Sequence, residues 1–190
     1  MLQTNPESVD LHLAKAALNI ELEQWQYALD EYDNILRKDT DNISALFYRA
    51  YVNGKMARYK FARIDYERIL RKHPTQFESL LGLALINQKD NHLTDAMDQI
   101  NTLITLYPDN HVAYAARAGI EYERKMLVPA ECDFSQAIIL DPTNTDYLLN
   151  RANIRIELNK KDAATEDLNQ LVKLGISRVS LQEYFRKCKE

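Results

Sequence analysis

The sequence predicts an all-α solenoid of five stacked helix pairs closed by a terminal helix, and three observations predict it. Prolines recur at Pro74, Pro108 and Pro142, each 34 residues after the last, and a period in this range marks a repeat architecture. When 34-residue units are counted so that Ala118 is eighth in its unit, the same position holds Ala16, Ala50, Ala84 and Ala152. The twentieth position holds Ala28, Ala62, Ala96, Ala130 and Ala164, so ten of the nineteen alanines occupy two positions. Composition agrees: 46% hydrophobic residues with only 4 Gly and 5 Pro suit a helix-dense chain.

The alanines have a physical reason. Where two helices cross closely, a small side chain lets the backbones approach, and extra methylenes would cost about 1–3 kcal/mol. Position 24 carries Tyr32, Tyr66, Ile100, Phe134 and Leu168, and position 28 carries Leu36, Leu70, Ile104, Ile138 and Val172. These large apolar groups are expected to fill the space beside the alanines as core.

A small eighth residue, Ala at twenty, a bulky residue at twenty-four and Pro at thirty-two resemble the tetratricopeptide repeat family. The resemblance covers five units, 9–42, 43–76, 77–110, 111–144 and 145–178. Thr40 and Ile176 replace the proline, and the fourth position, often Trp in the family, is His12, Leu46, Leu80, Tyr114 and Leu148. The resemblance implies a right-handed superhelix that binds proteins, but fold alone does not name a partner.

Taken in order, residues 1–8 overlay the end of a second helix and its proline when Pro6 is aligned with Pro74. They are expected to be the end of a preceding repeat or a linker, leaving Leu13 and Leu18 partly exposed. First helices are expected over 9–22, 43–56, 77–90, 111–124 and 145–158, and second helices over 25–38, 59–72, 93–106, 127–140 and 161–174. Turns as short as Glu23-Gln24, Ala57-Arg58 and Asn91-His92 allow only antiparallel neighbours. Gly175 after Leu174 is a good left-handed cap. Ser180-Leu181-Gln182-Glu183 reads as a capping box opening a capping helix over 179–190, with Leu181, Tyr184 and Phe185 inward and Arg186, Lys187, Lys189 and Glu190 outward.

Net charge is −4 and no basic stripe is evident, which argues against nucleic acid as a partner. Cys132 and Cys188 form no CxxC and read as unpaired thiols. No apolar run approaches the roughly 18 residues of a membrane span, and the opening residues carry no signal-peptide pattern. The compartment is therefore open: cytoplasmic, or periplasmic if an upstream signal has been removed.

Positions 7 and 23 vary together: Arg49 with Asp65, Arg117 with Asp133, Arg151 with Asp167, and Lys15 with Glu31, while the third unit has Leu83 and Gln99. The expected role is an ion pair between the two helices of a unit. No reaction chemistry is apparent. His12, His73, His92 and His111 lie in separate units without a zinc spacing, and Gly54, Gly82 and Gly119 stand singly. Asp39-Thr40-Asp41 begins like a calcium loop, but the later Gly and Glu are missing. No enzyme activity, metal or cofactor is expected.

In the family resembled, positions 2, 5, 6, 9, 12 and 13 of the first helices face a bound peptide or helix. The family's clamp for a C-terminal carboxylate would fall on Leu13, Ala17, Tyr48, Glu78 and Gly82, none of which matches it. The surface offered is apolar and aromatic: Phe47, Tyr48 and Tyr51, then Leu81 and Leu85. After these come small Ala115, Ala116 and Gly119 beside Tyr122, then Leu149, Asn150 and Asn153. The expectation is a scaffold that docks a peptide or amphipathic helix, apolar side inward. Phe47, Tyr48, Tyr51, Leu81, Leu85, Tyr122, Asn150 and Asn153 are its expected contacts. Alternatives are a regulatory or assembly domain of a larger, envelope-associated protein, and self-association through the exposed first helix.

Overall fold

The computed structural model describes residues 8–189. Among them are eleven helices and no strand: α1 (Val9–Glu21), α2 (Trp25–Lys38), α3 (Ile43–Lys55), α4 (Tyr59–Lys72), α5 (Phe77–Lys89), α6 (Leu93–Leu106), α7 (His111–Glu123), α8 (Leu127–Leu140), α9 (Thr145–Glu157), α10 (Lys161–Lys173) and α11 (Gln182–Lys187). The chain divides into two compact units, one ending at Gln99 and the other beginning at Ile100. In the first unit α1 packs on α2, α2 on α3, α3 on α4 and α4 on α5. In the second, α7 packs on α8, α8 on α9, α9 on α10 and α11 on α10.

All ten alanines of positions 8 and 20 are 0% exposed. They sit where first and second helices cross, so each helix pair closes without a side chain to hold the backbones apart. Position 24 is buried in every unit, with Tyr32, Tyr66, Ile100, Phe134 and Leu168 at 5% exposure or less. Position 28 is less uniform than expected. Leu70, Ile104 and Val172 are only partly buried, while Ile35, Ile69, Leu103 and Leu171, one residue earlier, are at most 1% exposed. The centre of each apolar stripe thus lies between the two positions.

The turn after every first helix uses a left-handed residue: Glu23, Ala57, Asn91, Lys125 and Asn159 have φ between 54° and 61°. Each allows the next amide to bond back across the helix end, as Arg58 N–H donates to the Asn53 carbonyl at 2.8 Å and Lys160 N–H to the Arg155 carbonyl at 2.8 Å. That is the Schellman closure, here without glycine. Gly175, at φ 97°, closes α10 in the same way. Asn42, Asn110 and Asn144 cap α3, α7 and α9 with their side-chain oxygens. The Asp39-Thr40-Asp41 stretch is explained by the same chemistry: the Asp39 carboxylate accepts from the Asp41 amide and from the Asn42 side chain.

One expectation changes at the C-terminal end. The capping box does not form, because the Ser180 hydroxyl donates to the Ser177 carbonyl at 2.7 Å and α11 starts from Leu181 with no side-chain cap. Leu181 and Phe185 are nevertheless buried against the second unit's core, with Arg178 stacked 4.1 Å from the Phe185 ring centre. Residues 1–7, part of the stretch expected to end a preceding repeat, lie outside the described residues. Leu18 is 55% exposed, whereas Val52, Ile86, Ile120 and Ile154 at its position are at most 6%. Among the described residues no helix is long and apolar enough to cross a membrane.

Candidate peptide-binding surface

Three of the first helices, α3, α7 and α9, are held in place by arginines. Arg49 makes a two-pronged bond to Asp65, at 2.8 and 2.6 Å, and its third nitrogen donates to Asp33 of α2 at 2.7 Å. Arg117 repeats this with Asp133, at 2.5 and 2.8 Å, and with Asn101 of α6 at 3.0 Å. Arg151 does so with Asp167, at 3.1 and 2.6 Å, and with Ser135 of α8 at 3.0 Å. The three expected arginine pairs therefore form, and each arginine also ties its helix to position 25 of the preceding repeat. Sequence reasoning missed this third bond, because Asp33, Asn101 and Ser135 share only an acceptor oxygen. The first repeat differs: Glu31 bonds His12, and Lys15 is exposed. In the third, Leu83 is buried and Gln99 accepts from Asn87 at 3.0 Å.

In the first unit, Tyr48, Tyr51 and Leu85 stand out from α3 and α5 with exposures of 46%, 38% and 38%. Tyr48 stacks on Tyr32 with ring centres 6.2 Å apart, and the Lys55 ammonium lies 5.3 Å from the Tyr51 ring centre. Burial, then the neighbouring Tyr48, pushes the Tyr32 hydroxyl up to about 12, so it stays protonated. Phe47 is turned inward: its ring meets Tyr66 edge-on at 5.7 Å and packs against the unit's core. Leu81 is half-buried. Gly82 is explained by packing, since a Cβ there would fall 2.5 Å from the Tyr66 ring.

In the second unit the corresponding face is polar. The Tyr122 hydroxyl donates to the Glu157 carboxylate, and the Asn153 amide donates to both, at 3.2 Å each. That bond to Glu157, then burial, raises the Tyr122 hydroxyl above its ordinary range. Lys125 lies 5.5 Å from the Tyr122 ring centre. Asn150 is exposed, and nothing lies within 4 Å of a Cβ built on Gly119, which leaves open space beside this cluster. Glu157 was not singled out from sequence. Its position, thirteenth in the unit, faces a ligand in the family resembled, and that was the available signal.

No protein-family model and no curated protein sequence matches the chain. Solved structures do. A tetratricopeptide repeat protein from Parabacteroides merdae is similar at 19% identity and a TM-score of 0.78, over 100% of this chain and 74% of that one. PilF of Pseudomonas aeruginosa is similar at 14% identity and a TM-score of 0.78, over 95% and 86%. YrrB, described as a tetratricopeptide repeat protein with an unusual peptide-binding site, is similar at 20% identity and a TM-score of 0.63, over 92% and 90%. With alanine crossings, paired antiparallel helices and these likenesses in hand, the chain has the tetratricopeptide repeat fold.

Proposed function

We propose that the chain is a protein-interaction scaffold that holds an extended peptide or amphipathic helix on its first-helix faces without chemically changing it. One observation carries the reading: Tyr48 and Tyr51 of α3 and Leu85 of α5, three large apolar side chains on first helices of the first unit, are exposed. Exposed aromatic groups of this kind supply apolar area with a hydroxyl at the tip, a combination enriched where proteins bind strongly. The peptide-binding site described for YrrB, which has the same fold, is consistent with it. In the second unit, Tyr122, Asn150 and Asn153, with Glu157, would supply hydrogen bonds beside the open space at Gly119. Phe47 and Leu81 support the surface from beneath more than they offer contact.

The test is a peptide selected from a random display library against the full chain, then titrated calorimetrically. A Tyr48→Ala/Tyr51→Ala variant is expected to weaken binding at least about tenfold, the loss expected when aromatic contacts worth roughly 1–2 kcal/mol are removed. Unchanged affinity in a folded double variant refutes the site.

A further inference from the structure

Position 11 of a first helix reaches across to position 23 of the second. The Asn87 amide donates to Gln99 at 3.0 Å, and an Arg155 nitrogen donates to Asp167 at 2.9 Å. In both cases a donor meets an acceptor. In α7 the same position is Glu121, which faces Asp133 of α8. Both carboxyls are buried, at 8% and 6% exposure.

Arg117 bonds only one of them. Its Nε and Nη2 bond the two Asp133 oxygens, and its Nη1 is committed to Asn101 of α6. Oε2 of Glu121 is buried without a hydrogen-bond partner. The charged groups that bear on Glu121 are Asp133 from α8 and Arg117 from its own helix, while Asn101 is neutral. A second carboxylate in this place would set like charges together in a poorly solvated pocket. A carboxylic acid there has a proton to donate.

We infer that Glu121 is a proton-operated latch of the second unit, donating as a neutral acid to Asp133 in the folded state and releasing its hold on α8 when it deprotonates. Burial, then Asp133, pushes the Glu121 carboxyl up to about 7, against the opposing pull of Arg117. The folded chain therefore binds this proton more tightly than the unfolded chain does. The contribution is complete below the ordinary glutamate range and is lost as pH rises through about 7. Tyr122 follows directly on α7, so the latch adjoins the polar part of the candidate surface.

The experiment uses the full chain. Carboxyl-carbon NMR follows the titration of Glu121, and amide exchange, corrected for its intrinsic pH dependence, reports the protection of α7 and α8. Glu121 is expected to titrate well above the exposed glutamates. Between pH 5 and pH 8 the wild type should lose at least about tenfold more protection than Glu121→Gln, since one proton bound on folding changes the folding constant up to about tenfold per pH unit. His111 is present in both proteins and cancels from the comparison. Titration near 4.5, the ordinary glutamate value, or equal pH dependence in the two proteins, overturns the latch. Should Glu121→Gln fail to fold, the wild-type titration decides alone.

Discussion

Asp167 is the acceptor for two guanidinium groups, Arg151 and Arg155, and its side chain is 3% exposed against 13% and 16% for theirs. Removing it leaves the shielded Arg151 facing no anion, while Arg155 keeps Glu131 at 3.0 Å, and breaking a buried pair in this way costs about 3–5 kcal/mol. Asp167→Ala is expected to destabilise by about 3 kcal/mol in urea titration, near the lower end of that range because both arginines keep some access to water. Gln99→Ala, which removes one neutral hydrogen bond, should cost about 1 kcal/mol. Equal costs would show that these contacts do not fix the helix pairs. The pairs at positions 7 and 23 were legible because opposite charge recurs at a constant spacing of sixteen. The bond from His12 to Glu31 was not, because charge signs alone favoured Lys15.

Ala57 closes α3 at φ 56° and is exposed. A left-handed conformation costs an L-residue roughly 1–2 kcal/mol, which glycine avoids at the price of a looser unfolded chain. Ala57→Gly should therefore raise stability by about 0.5–1 kcal/mol, measured by the same titration. A loss would mean that the Ala57 methyl makes a contact outweighing the strain. The ten regular helices lie within a residue of the expected spans at every end, because apolar spacing and short turns constrain both. The closures were not legible as left-handed, since Glu, Ala, Asn, Lys and Asn carry no glycine signal. The failure at Ser180 has a related cause: a capping box is a pattern of side chains, and here the hydroxyl is satisfied by the Ser177 carbonyl instead.

Across the chain, the period announces the fold more clearly than the site. Alanines at two positions report close crossings wherever they occur, whereas a residue's facing on a helix turns by about 100° per step. Phe47 and Tyr48 differ by one such step, and only the second is exposed. The sequence could place both on α3 but could not say which ring the Tyr66 contact would draw inward.

The division at Gln99 has a practical consequence for optical measurements. Trp25 is the single tryptophan, and it packs against the core of the first unit. Its fluorescence therefore samples one half of the polypeptide, while far-ultraviolet dichroism averages over all the helices. In Asp167→Ala the dichroic midpoint is expected at lower urea than the emission midpoint, so that the two signals separate; superimposable curves would instead mean that both halves melt as one cooperative body.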